Sequence, residues 1–358
     1  MSTRKINLMY RYRTRKGEAG FSLIELMVAM TIGLILLASV STIFVTSRSV
    51  YTMEEGMGRV QEAGRFAMEF LAQDIRMAGY AGCTNNVKNI AKPATDAYQI
   101  LAGGVRGYTY SGTPPANTLA DWSPALPAEF FSDGDVLPET DVILVTRAMD
   151  LETNLTGNMD SDNGNVKVAE SWAIAQQVSA NDTLIISDCS NADVFRATAV
   201  SNGEDPINIT HASNVNTDNK LSKAYQTNAQ LSKLISRVYY IRPGASATDE
   251  PSLMREDLGE SAQELVQGIE QLRMVFGEDT DADGISNIYR VASDVTNWSN
   301  IKSVRIGMLV RTPANVAADT DTTRFAGSGI ELVDGVSIDA AGDNRRRQVY
   351  KSTILVRR

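Results

Sequence analysis

The chain has 358 residues, 43% of them hydrophobic and 22% charged, enough for one large domain or two modest ones. Its net charge of −9 hides an asymmetry, because the first twenty residues hold Arg4, Lys5, Arg11, Arg13, Arg15 and Lys16 against Glu18 alone. Taking that +5 from −9 leaves −14 for the remainder, which argues against a nucleic-acid surface.

After the basic leader, Leu26 to Ser47 carries no charge. About 22 residues at 1.5 Å each reach about 33 Å, the thickness of a bilayer core. A secretory signal would place its small-residue cleavage site after the apolar core, whereas here Gly20 precedes it. The positive-inside rule puts the leader in the cytoplasm and everything beyond about residue 47 across the membrane. The apolar pattern then continues at helical spacing through Val50, Met53, Met57, Val60, Gly64, Ala67 and Leu71, widened by Phe66, Phe70 and Ile75. No proline occurs before Pro93. The spacing predicts one helix from near Phe21 to near Met77, stopped by Gly79 and Gly82.

Beyond the helix, short β-like runs predict strands at Val142 to Arg147, Leu184 to Ser187, Val194 to Val200, Ile235 to Arg242, Leu272 to Phe276, Val304 to Arg311 and Val349 to Val356. Their apolar faces are the expected cover for the outer half of the helix. Ala102 to Asp135 and Asn202 to Asn219 read as mobile loops. Cys83 and Cys189 both fall in the exported part, where an oxidising compartment favours a disulfide between them. The other reading is two buried free thiols. A bridge would close a loop of about 105 residues, worth roughly 4 to 5 kcal/mol in the chain-entropy model.

Glu25 stands at the start of the apolar run, where an acid costs roughly 2.5 to 3.5 kcal/mol at a membrane helix centre. It either snorkels to the interface or does work. The stretch Gly20-Phe21-Ser22-Leu23-Ile24-Glu25, followed by an apolar helix, resembles the prepilin motif of type IV pilins. The resemblance implies cleavage after Gly20 by prepilin peptidase, N-methylation of Phe21, and pairing of the Glu25 carboxylate with the amino terminus of a neighbouring subunit during assembly. Ala72 to Cys83 resembles the segment that closes the long helix in PilW-type minor pilins. Gly268-Ile269-Glu270-Gln271-Leu272-Arg273, an aspartate-rich turn, Trp298 and Ser303-Val304-Arg305-Ile306 are similar to that family's downstream pattern. Two departures stand out: the leader is longer than the short ones common in type IVa pilins, and Thr42 occupies the place of a helix-kinking proline in many major pilins.

The implied architecture is an α+β pilin fold: leader 1–20, membrane and assembly half 21–47, amphipathic half 48–82, and a β-rich globular domain 83–358 packed on the helix. The implied function is a minor pilin that primes or caps a type IV pilus within a tip complex, with motility, adhesion and DNA uptake belonging to the fibre. Its expected partners are prepilin peptidase, the major pilin, other minor pilins and a tip adhesin, with the inner membrane as its location before assembly. A J-type minor pseudopilin of a type II secretion system shares the helix and its chemistry but is usually much shorter. Neighbouring genes separate the two. A third reading is a membrane-anchored, calcium-dependent binding module that never polymerises.

That reading draws on Glu278-Asp279-Thr280-Asp281-Ala282-Asp283-Gly284-Ile285-Ser286-Asn287, which follows the first half of a calcium loop. Asp279, Asp281 and Asp283 would supply side-chain oxygens, Ile285 a carbonyl, and Asn287 a ligand directly or through water. Position twelve is Arg290 instead of a bidentate carboxylate, so a distant acid such as Glu278 or Asp294 would have to complete the shell. An acidic hairpin turn without an ion is the alternative. Nothing indicates an enzyme: the one histidine, His211, sits in an Asn/Thr-rich stretch and reads as solvated, and no phosphate loop, nucleophile elbow or zinc spacing is present. Arg345, Arg346 and Arg347 read as a solvated strand edge or a partner patch.

Overall fold

The computed structural model describes residues 20–93, 95–98, 103–149, 152–201, 203, 205–246, 249–313, 330–333, 336–338 and 343–356. A long apolar-then-amphipathic helix is followed by a β-rich domain. The leader, 1–19, lies outside the described residues. The chain divides into two compact units at Thr52 and Met53.

In the first unit, the helix runs without interruption from Leu23, and its most apolar stretch has a mean hydropathy of 2.4. The hydroxyls of Thr31, Ser39 and Thr42 donate to the carbonyls of Val28, Ile35 and Ala38 at 2.8–2.9 Å. These three hydroxyls are thereby satisfied within the helix, as a hydrocarbon environment requires.

In the second unit the helix continues to Arg76. Its buried stripe is Gly56, Val60, Gly64, Ala67, Leu71 and Ile75, the three-and-four spacing of one helical face. The face is narrower than the sequence pattern implied, since Phe66 is 40% exposed and Val50 43%. The stripe packs on an antiparallel sheet ordered Ile288–Arg290, Ile269–Glu278, Ile301–Arg311, Arg347–Leu355. Alternate residues of these strands, among them Leu272, Met274, Ile306, Met308 and Ile354, join Val60, Ala67, Leu71 and Ile75 in one core. Gly64 marks the closest approach: a Cβ there would lie 2.3 Å from the Tyr350 ring, whose hydroxyl donates to the Val60 carbonyl at 3.1 Å. Any larger residue at 64 has to displace that ring.

The other main sheet has ten strands among the described residues, built around Gln230–Arg242. One edge of this strand pairs with Val142–Ala148 and then Thr153–Asn154. The other pairs with Thr183–Ser187 at 230–233 and with Ser252–Asp257 at 237–242. All seven strands read from sequence are present, with one broken: Val194 to Val200 divides into Ala192–Arg196 and Ala199–Val200.

Both supposed loops are corrected by the structure. The first contains the strand Val105–Tyr110, and the second contains Ile207–Thr210. Tyr108, Tyr110, Trp122, Leu126, Phe130 and Phe131 build a buried aromatic cluster inside the first, so its Gly, Pro and Ala content misrepresented it. Ile207 and Ile209 anchor the second in a core with Val166, Val168 and Phe195.

Candidate functional site

The amino-terminal end combines a helix start with an acid. Ser22 precedes the first helical residue, and its hydroxyl accepts from the Glu25 amide at 3.2 Å. In return, the Glu25 carboxylate accepts from the Ser22 amide at 3.0 Å and the Ser22 hydroxyl at 3.1 Å. This is a capping box, which satisfies orphan donors reciprocally and places negative charge at the positive end of the helix dipole. The S-x-x-E spacing that announces it is legible in the sequence, and it starts the helix at Leu23, two residues after Phe21. Phe21 is 88% exposed and adjoins Gly20, so the Gly20–Phe21 bond lies just outside the capped turn.

The far end of the helix is tied down by charge. Asp74 is only 3% exposed. Its carboxylate accepts from Tyr239 Oη at 2.6 Å, Arg237 Nη1 at 2.7 Å and Arg147 Nη2 at 3.3 Å. Arg237 also holds Asp257 through two bonds. Two strands of the large sheet, Val142–Ala148 and Gln230–Arg242, therefore converge on one helical carboxylate, and a third, Ser252–Asp257, braces Arg237 through Asp257. Burial alone would raise the Asp74 pKa, but the Arg237 guanidinium, the Tyr239 hydroxyl and Arg147 outweigh it and hold the carboxyl below its ordinary value. Just beyond, Gly79 at φ +75° turns the chain and gives its amide to the Thr146 carbonyl at 2.8 Å. Cys83 then forms a disulfide with Cys189, Cα to Cα 4.9 Å, in the turn between Thr183–Ser187 and Ala192–Arg196.

Two polar assignments are corrected. Arg347 is 4% exposed, not a solvated edge: it pairs with Glu270 and Asp343, while Arg345 pairs with Glu250 and Asp343, and Arg311 with Glu250 and Glu270. The strand arginines and these acids form one network at the end of the four-stranded sheet. His211 is 4% exposed, with its Nε2 2.9 Å from the Gly164 carbonyl and its ring 5.3 Å from that of Phe195. It is packed, not solvated, because the strand before it delivers it onto the Phe195 side of a core.

Asp279, Asp281 and Asp283 place carboxylate oxygens within 4.8 Å of one another and could hold a metal ion. The turn is already well satisfied, however. The two Asp279 oxygens accept from the Ala282 and Gly284 amides at 2.7 and 2.9 Å, and Asp283 accepts from Ile285 at 2.8 Å. The Asn287 side-chain oxygen accepts from the Thr280 amide and hydroxyl, and Lys302 Nζ lies 3.8 Å from Asp279. Glu278 is unsuited to complete the shell: Thr296 and Asn297 donate to it, and Arg290 lies 3.3 Å away.

Comparison with known proteins gives two family matches. Residues 15–41 match the prokaryotic N-terminal methylation motif, and residues 238–358 match the family described as Type IV Pilus-assembly protein W. The second span begins inside Gln230–Arg242 and takes in the whole four-stranded sheet. No curated protein matches the chain. Among solved structures, a type IV-like pilin from Thermus thermophilus is similar over 83% of this chain and 95% of its own, at 8% identity and a TM-score of 0.33.

Proposed function

We propose that this chain is a minor pilin of the PilW family, whose model matches residues 238–358 beside the N-terminal methylation motif at 15–41, and that it primes or caps pilus assembly. In this reading prepilin peptidase cuts after Gly20, the new amino terminus at Phe21 is methylated, and Glu25 is the assembly carboxylate. The globular domain lies on the periplasmic side until the subunit enters the fibre with the major pilin and other minor pilins. The observation that carries the reading is the capped carboxylate at the head of an exposed apolar helix. Before docking, Ser22 stabilises Glu25 within its own turn. On docking, the amine that cleavage creates supplies the cation that Ser22 lacks. Leaving either charge unpaired in hydrocarbon costs several kcal/mol, so pairing favours one register of the helix over its neighbours.

The test is replacement of Glu25 by alanine in the full chain, expressed where the native copy is deleted. Incorporation into sheared fibres should fall on the order of tenfold or more, since each 1.4 kcal/mol is a factor of ten, while the membrane level of the subunit holds. Unchanged incorporation would sink the assembly role.

The aspartate-rich turn has a subordinate place in this reading. It closes its hairpin with its own amides and takes calcium only weakly, because Asp279 is occupied and Arg290 stands where a carboxylate is needed. Calorimetry of the full chain in detergent is expected to show calcium binding no tighter than about the millimolar range of weak extracellular sites. Micromolar binding would refute the self-satisfied turn and revive the calcium-dependent module.

A further inference from the structure

We propose that Asn154 is an acceptor for N-linked oligosaccharide transfer. The inference rests on the reading that the β-rich domain is exported, and it adds a modification site to it. An asparagine carboxamide is a poor nucleophile, and the enzymes that glycosylate it require a hydroxyl residue two positions later. The prokaryotic class also reads an acidic residue two positions before.

Four Asn-x-Ser/Thr triplets occur, at Asn154, Asn181, Asn208 and Asn297, and among them only Asn154 has such an acid, Glu152. Structure separates them again. Asn297 spends its side-chain oxygen on the amide and hydroxyl of Ser299, at 3.0 and 2.6 Å, which ties up the hydroxyl a transferase would need. Asn208 is half-buried in a strand paired on both sides. Asn181 is exposed but is followed by Asp182, which is ion-paired to Lys233 at 3.0 Å, and its own carbonyl holds Arg196 at 3.0 Å. Asn154 and Thr156 are both exposed, and Asn154 lies in a strand only two residues long. Glu152 accepts a hydrogen bond from the Tyr80 hydroxyl at 3.0 Å.

The donor is a polyprenyl-diphosphate oligosaccharide. The Asn154 nitrogen bonds to the anomeric carbon, the bond from that carbon to the diphosphate oxygen breaks, and the displaced carboxamide proton is balanced by the released lipid diphosphate.

The experiment expresses the full chain in a bacterial host carrying such a donor and a transferase of the acid-reading class, and maps glycopeptides by mass spectrometry. One glycan at Asn154 is expected. Asn154→Gln and Thr156→Ala should abolish it, and Glu152→Gln should lower its occupancy severalfold. Thiol labelling of Cys83 and Cys189 in the same sample reports export. An unmodified Asn154 with the disulfide intact, or glycan on another asparagine instead, overturns the acceptor assignment and leaves the export reading standing. An unmodified Asn154 with free thiols overturns both.

Discussion

Replacing Asp74 by alanine is expected to destabilise the globular domain by about 3 to 5 kcal/mol, the cost of breaking a buried ion pair by removing one partner. The substitution leaves Arg147 and Arg237 without their shared anion and Tyr239 with only the long 3.5 Å bond to the Phe70 carbonyl. Asp257 still partners Arg237, but the end of the helix loses its bonds to two strands, Val142–Ala148 and Gln230–Arg242. Chemical unfolding of the full chain in detergent measures the loss. A cost below about 1 kcal/mol, the range of an exposed pair, would show that the cluster does not hold the helix to the sheet. Tyr239→Phe removes one neutral donor and is expected to cost only about 1 kcal/mol.

Acid separates this account from a simple packing effect. Because the folded-state pKa of Asp74 is depressed, its contribution is present above the unfolded carboxyl value of about 3.9 and disappears as pH falls through the folded value. The stability gap between the native chain and Asp74→Asn should therefore be widest near neutral pH and close on acidification below about pH 4. A gap that is independent of pH would mean that shape, not charge, does the holding.

The second large effect is expected from the disulfide. Converting Cys83 and Cys189 together to serine should cost about 2 to 5 kcal/mol, since the bridge closes a loop of about a hundred residues. At about 2 to 4 °C per kcal/mol for a domain of this order of size, the midpoint should fall by roughly 4 to 20 °C. The bridge joins the chain just after the helix to the turn of the Thr183–Arg196 hairpin, so the loss should concentrate there. Hydrogen exchange should show that hairpin opening before the four-stranded sheet. Uniform loss of protection would count against a local clasp.

The helix, its stop and most of the sheet were legible because they are written in local chemistry. A run from Leu26 to Ser47 without charge, a three-and-four apolar repeat and two glycines fix a long helix whatever else the chain does. Gly20, Phe21 and Glu25 are likewise a linear pattern, and Ser22 completes it three residues before the acid. Periodicity could not decide the fate of polar side chains. Asp74 and Arg347 look like solvent-facing residues in sequence, and become buried because residues as distant as Arg237 and Glu270 bring opposite charge to them. His211 and the Ala102 to Asp135 segment misled for a related reason: composition suggested exposure, while Phe195 packs against the histidine and the segment's own aromatic residues, with Tyr240, build its buried cluster. The sequence alone thus determined the long apolar helix, its stop and the Gly20 to Glu25 pattern at its head, all of them local. Only the tertiary structure decided which charges lock that helix to its domain, because the cost of burying a charge is set by partners that folding, not spacing, brings within reach.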